Sequence, residues 1–211
     1  MEKILVLLLL NSSLCFAEEM QTPVNGLEKA EAWANYQKYS APSKGHQRLD
    51  YLIGKWDLSA TWQITPEDKP KRMFGTSEFK WILDGRFLYQ EVTWKLKNHL
   101  AKMIRITGYN NQTDEYEILF IDDVSTEMKI AKGKHDPVSN DLVLIDKEDK
   151  NIRTVWKNVV KNNYFICETY KKDESGNEFL AMTLTYIRPD FRKLLEDNAT
   201  DDKQRQQNNK T

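Results

Sequence analysis

From Gly54 onward, hydrophobic residues alternate with polar ones in short runs, and this pattern constrains the fold more than any other feature. Trp56, Leu58 and Ala60 alternate with polar residues in the first run, as expected for a strand with one face in water. Further runs follow at intervals of roughly ten residues. We predict strands near residues 54–63, 72–83, 86–96, 101–109, 115–122, 126–135, 142–145, 152–160, 164–170 and 178–188.

Turn-forming sequences such as Asp84-Gly85, Asp136-Pro137 and Ser175-Gly176-Asn177 separate these runs. None of the connections is long enough for a crossover helix, so neighbouring strands should pair antiparallel in chain order. A row of about ten strands is expected to close, because closure removes exposed edges. The predicted fold class is therefore all-β, a single antiparallel β-barrel of about ten strands.

Helices are predicted on both sides of the barrel region. Asn25, with a Glu three residues later, is typical of a helix start, and this helix should run to about Tyr39. Ser43 begins a second short helix, and Pro189 begins a last one that ends near Asp197. We divide the mature chain into an N-terminal helical arm (18–45), the barrel (46–190), and a short C-terminal helix with a disordered tail (191–211).

The first 17 residues have the pattern of a cleaved signal peptide. Lys3 provides the initial charge, and the apolar run from Ile4 to Leu10 is shorter than the ~20 residues that span a bilayer. Cys15 and Ala17 place small residues where signal peptidase requires them. We predict cleavage after Ala17 and an exported protein, periplasmic or secreted, without membrane insertion.

Charge and composition exclude several classes of protein. Lys and Arg number 31 and Asp and Glu 32, a balance that argues against a nucleic-acid-binding protein. Six Trp residues and 11% aromatic residues are too many for a disordered chain. Cleavage would leave Cys167 as the single cysteine, so no internal disulfide is expected and the core must stabilise the fold. The sequence leaves the oligomeric state open.

No motif indicates catalysis, a metal or a cofactor. His46, His99 and His135 are far apart and show no metal-ligand spacing. Haem would require a histidine with apolar surroundings, whereas His99 and His135 lie among polar residues at predicted strand ends. We therefore predict no cofactor, no metal and no catalytic residue.

Gly54-Lys55-Trp56, which follows a short helix, resembles the Gly-x-Trp signature of the calycin (lipocalin-like) superfamily. The resemblance implies that Trp56 fills the narrow end of the barrel and that Arg188 packs across it. Such a guanidinium can stack on the indole while it donates to carbonyls of the preceding helix. We assign closure of the barrel to His46, Gly54, Trp56 and Arg188.

A closer resemblance extends from Leu27 to Arg188 and is to the bacterial family named domain of unknown function 1579. The matching stretches are Trp33…Tyr36…Tyr39-Ser40-Ala41-Pro42, His46-x-x-Leu49-x-x-Leu52-x-Gly54-x-Trp56, Leu83-Asp84-Gly85-Arg86-Phe87-Leu88, Gly108-Tyr109-Asn110, Asp122-x-x-Ser125-Thr126, Gly176…Glu178-Phe179 and Thr185-Tyr186-x-Arg188. This resemblance implies a calycin-like barrel in an often exported protein, and it supplies no activity or substrate.

Charged and aromatic residues within the strands are the candidates for a binding site, because a charge that points inward must be paired or meet a ligand or water. The candidate ligand-binding residues are Trp62, Trp81, Glu91, Arg105, Tyr109, Asp122, Trp156 and Glu168. The aromatic residues permit two interpretations, a filled core or the wall of a cavity.

Three hypotheses for the function follow. The first is a non-enzymatic protein that binds a small, mostly apolar molecule in the barrel lumen. The second is an enzyme that acts on a small exported metabolite, and it requires Glu91 and Arg105 to face one cavity. The third is an interaction module whose helical arm, residues 28–39, docks a partner or a second copy.

Overall fold

The computed structural model describes residues 26–157 and 163–194, and the chain divides into two compact units at Ala41 and Pro42. The first unit contains helix α1, Gly26–Ser40. Residues 29–39 of this helix are exposed, and the rings of Trp33 and Tyr36 stack on each other with centroids 5.4 Å apart. The predicted start at Asn25, the signal peptide and the tail 198–211 lie outside the described residues.

The second unit begins with helix α2, Lys44–Gln47, and a 3-10 turn, Asp50–Leu52. Ten strands follow: β1 Gly54–Trp62, β2 Lys71–Ile82, β3 Phe87–Lys95, β4 Leu100–Asn110, β5 Glu115–Asp122, β6 Lys129–His135, β7 Leu142–Asp146, β8 Arg153–Lys157, β9 Tyr164–Lys172 and β10 Glu178–Ile187. Residues 189–194 form the described part of a C-terminal helix.

The strands form a closed antiparallel barrel in chain order, in which β1 pairs with both β2 and β10. The predicted fold class is thus confirmed, including the helices that precede and follow the barrel in the sequence. Most strand bounds agree with the prediction within two residues, and two differences are larger. Strand β6 begins at Lys129 and not near 126, because the carboxylate of Asp122 accepts the backbone N–H groups of Val124 and Ser125 and holds them in a turn. The region predicted as one helix after Ser43 is divided into α2 and the 3-10 turn.

One end of the barrel, where β1 begins at Gly54, is filled by aromatic side chains. Alternate residues of each strand face the lumen. Trp56, Phe79, Phe165 and Tyr186 lie on this inner face and are at most 1% exposed. Their rings contact one another, with Phe165 and Tyr186 stacked at 4.0 Å. We call this end the plugged end.

The opposite end, where β1 finishes at Trp62, is not sealed in the same way, and we call it the mouth. Inner-face side chains near the mouth are half-buried although they are large and apolar. They are Met73, Met103, Phe120 and Met182. Trp62 and Met182 also line a depression of about 180 Å³ at the rim. The inner face is therefore partly accessible at the mouth.

Candidate functional site

Trp56 and Arg188 close the plugged end together. The Trp56 indole N–H donates to the carbonyl of Leu52 at 2.6 Å, and the Arg188 guanidinium lies 3.7 Å from the ring centroid. Arg188 Nη2 donates to the carbonyl of Tyr51 at 2.9 Å, and its Nη1 donates to that of Lys55 at 3.3 Å. These bonds tie the 3-10 turn and the start of β1 to the end of β10.

Gly54 and His46 lie at the same end. Gly54 has a φ of +102°, and a Cβ there would come within 2.9 Å of Arg188 Nη1, so both the backbone and the arginine favour glycine. His46 is buried, and its Nδ1 accepts the backbone N–H of Ser43 at 3.0 Å within a capping box. Burial lowers the pKa of His46, with a smaller contribution from the charge of Arg86. All four candidate closure residues thus lie at the plugged end.

Two candidate ligand-binding residues, Trp81 and Tyr109, also lie at the plugged end. The Trp81 indole N–H donates to Asp50 Oδ1 at 2.9 Å, and the Tyr109 hydroxyl donates to Asp114. Burial and the Asp114 carboxylate raise the pKa of Tyr109 to about 12. Because their polar atoms already have partners within the protein, we assign these two side chains to the packing of the plugged end.

Glu91 and Glu168 face outward, contrary to our placement of both among candidate ligand contacts. Glu91 alternates with the buried residues Gln90 and Val92, and its carboxylate lies 3.8 Å from Lys102 Nζ. Glu168 lies 2.7 Å from Lys157 Nζ and accepts the Tyr170 hydroxyl. Burial opposes the ionisation of Glu168, but these two bonds outweigh it and lower its pKa.

The outward position of Glu91 removes the basis of the acid–base hypothesis. That hypothesis required Glu91 and Arg105 to face one cavity, whereas the structure places them on opposite faces of the barrel wall. An acid and a base separated in this way cannot act on one bound molecule.

Trp62 and Asp122 lie at the mouth. Trp62 is half-buried at the end of β1, with Lys71 Nζ 4.9 Å from its ring centroid. Asp122 is exposed at the end of β5, where its carboxylate is bonded to the turn that follows. Of the two, Trp62 offers an apolar surface toward the lumen.

Arg105 and Trp156 lie in the middle of the lumen and are 3% and 1% exposed. The Arg105 guanidinium lies between two rings, 4.5 Å from the centroid of Phe120 and 5.0 Å from that of Trp156. Cation–π attraction stabilises a charge placed over these ring faces, but it leaves the N–H groups at the edge of the guanidinium without acceptors.

Several polar atoms around Arg105 have no hydrogen-bond partner. They are Arg105 Nε and Nη1, Trp156 Nε1 and Gln90 Oε1. The other end of the Gln90 amide is occupied, because Nε2 donates to Ser77 Oγ at 2.8 Å and to the Tyr186 hydroxyl at 3.2 Å. Among the described residues, no carboxylate forms an ion pair with Arg105. We call Arg105, Gln90, Trp156 and Tyr186 the lumenal polar centre.

Gln90, Tyr186 and the methionines of the mouth were not among the site residues predicted from the sequence. Gln90 had a readable signal, since it stands between Leu88 and Val92 in the alternation and must share their inward direction. The methionines gave no such signal, because an apolar residue on an inner face is equally expected in a filled core.

Within residues 26–157 and 163–194, no three His, Cys, Asp or Glu side chains come together as a metal site. In the same part of the chain, no helix is long and apolar enough to cross a membrane.

The fold and this site define a class of small ten-stranded barrel that is plugged at one end and has a polar centre in its lumen. The chain belongs to the family described as Protein of unknown function (DUF1579), whose profile matches residues 41–188. No curated protein matches the sequence. The crystal structure of Rv2717c from M. tuberculosis superimposes with a TM-score of 0.52 at 11% identity, covering 70% of this chain and 99% of that chain. At this identity the likeness concerns the fold alone.

Proposed function

We propose that this protein binds a small, mostly apolar molecule in the lumen of a calycin-like barrel. One observation carries the proposal: Met73, Met103, Phe120 and Met182 face inward at the mouth and are nevertheless only partly buried. Leaving apolar side chains in water forgoes the free energy of their burial, roughly 25 cal/mol for each Å². A bound apolar molecule would recover it.

Phe120 supports this function because it connects the mouth to the interior. Its ring is partly buried and also contacts the Arg105 guanidinium, which is almost completely buried. The partly accessible apolar surface of the mouth therefore reaches the lumenal polar centre through the Phe120 ring. Methionine side chains suit such a wall, since they are flexible and adapt to different apolar shapes.

We also propose that the protein acts after export, in the periplasm or outside the cell, on the basis of the pattern in residues 1–17. A barrel that encloses an apolar molecule would carry it through water, in which that molecule is poorly soluble.

The test is a fluorescence titration with N-phenylnaphthylamine, an uncharged apolar dye, against the wild type and two methionine-to-tryptophan variants. Met103→Trp adds volume to the inner face at the mouth, and we expect it to weaken dye binding about tenfold, or ~1.4 kcal/mol. Met128→Trp is the matched control, because Met128 is 61% exposed in the loop before β6. Equal dye binding by all three proteins, or none by the wild type, would contradict binding in the lumen.

A further inference from the structure

Arg105 is a buried cation without an anion. It is 3% exposed, and none of the ion pairs among the described residues includes it. A buried charge without a partner costs folding free energy, and proteins retain such a charge where another group pairs with it. The two rings that flank the guanidinium offset only part of this cost.

The surroundings of Arg105 supply more donors than acceptors, since the acceptors there are the Tyr186 hydroxyl and the unused Gln90 Oε1. Trp156 Nε1 has no oxygen or nitrogen acceptor; the buried Cys167 sulfur beside it is only a weak acceptor, and an indole nitrogen can only donate. The Tyr186 hydroxyl lies beside the guanidinium and Gln90; burial raises the pKa of Tyr186, while Arg105 and Gln90 oppose this rise. A group that satisfies this set must therefore bring acceptor oxygens.

Gln90 is compatible with such a group. Its unpartnered Oε1 is the one unused acceptor of the lumenal polar centre. Rotation of the amide by half a turn would let the hydroxyls of Ser77 and Tyr186 donate to Oε1 and would turn the free atom into a donor. The remaining amide N–H of Gln90, the Arg105 guanidinium and the Trp156 N–H can then all donate to an anion.

We propose that the ligand is an amphipathic monocarboxylate whose carboxylate binds Arg105 and the Trp156 N–H and whose apolar part lies along the mouth. This inference rests on the proposed function and specifies the ligand class. One guanidinium balances one negative charge, so a carboxylate suits this apolar lumen better than a doubly charged phosphate. Arg105 is five residues from Leu100 at the start of β4, which places it up to about 12 Å below the mouth in a tilted strand.

The experiment compares decanoate with decanol by isothermal titration calorimetry on the full protein. Both carry the same apolar chain, and only decanoate carries a charge. We expect the wild type to bind decanoate about ten- to a hundredfold more tightly than decanol, as charge-assisted hydrogen bonds imply. Arg105→Gln should remove this preference while decanol still binds, and Trp156→Phe should reduce it severalfold.

Arg72→Gln is the matched control, because Arg72 is exposed on the outer face of β2, and it should leave both affinities unchanged. If Arg105→Gln does not fold, the wild type and Trp156→Phe decide the question. Equal binding of decanoate and decanol by the wild type would overturn the carboxylate proposal and leave lumenal binding intact. Binding of neither molecule would overturn the carboxylate proposal, while the dye titration separately decides whether the lumen binds at all.

Discussion

Two arginines stack on tryptophan rings in this barrel, and they differ in the hydrogen bonds that their N–H groups make. Arg188 covers Trp56 and donates to the carbonyls of Tyr51 and Lys55. Arg105 lies over Trp156, and its Nε and Nη1 donate to nothing. The difference is the supply of acceptors: the end of the barrel offers backbone carbonyls, and its middle offers none because the strands use theirs in the sheet. Arg188 therefore completes the structure, whereas Arg105 keeps unused N–H groups, to which we propose that a ligand binds.

Trp56 should be the most sensitive single residue of the plug. Trp56→Ala removes a fully buried ring that contacts Phe165 and Tyr186, and we expect a loss of ~3–5 kcal/mol in the free energy of unfolding. Trp33→Ala, on the exposed face of α1, is the control and should change it by less than ~0.5 kcal/mol. Urea unfolding measures both. A loss below about 1 kcal/mol for Trp56→Ala would show that the ring does not hold the barrel end.

The strands could be predicted from the sequence, but the face of the barrel on which each charged side chain lies could not always be predicted. The order and number of the strands follow from alternation and turn signals, and β5 matches its predicted bounds. In β4 the inner Met103 and Arg105 alternate with Ile104 and Ile106 on the outer face, so hydrophobicity on both faces hides the inward direction of Arg105. The unused donors of the lumenal polar centre depend on side-chain positions from several strands, which no local pattern encodes.

Helix α2 should make the stability of the barrel depend on pH through His46. Its Nδ1 must stay unprotonated to accept the Ser43 N–H, and burial lowers its pKa below the ordinary ~6.5. Burial likewise lowers the pKa of His135. The unfolded chain then binds protons more readily than the folded one, so the free energy of unfolding should fall as the pH drops from about 7 to about 5.

Thermal unfolding across this pH range measures the effect. His46→Gln should reduce the slope, because glutamine at this position can still accept the Ser43 N–H but does not titrate. His99→Gln is the control at an exposed position and should leave the slope unchanged. An identical slope for the wild type and His46→Gln would refute the role of His46.

The whole barrel is asymmetric along its axis. The plugged end is filled by rings and tied by Arg188, whereas the mouth exposes apolar inner-face side chains above a buried, unpaired arginine. A barrel that served only as a packed scaffold would not need this arginine, because a buried charge reduces stability unless something completes it. The third hypothesis, an interaction module, stays a prediction; Trp33 and Tyr36 on α1 are exposed as it requires.

Native mass spectrometry of the protein purified from its own host tests most directly whether the lumen carries a ligand, as we propose. If the predicted cleavage occurs, the polypeptide mass in the same spectrum should equal that of a chain that starts at Glu18. We predict a reproducible excess over that mass, lost on unfolding and strongly reduced in Arg105→Gln but not in Arg72→Gln. A protein free of any bound mass, together with no uptake of decanoate or dye, would contradict the account.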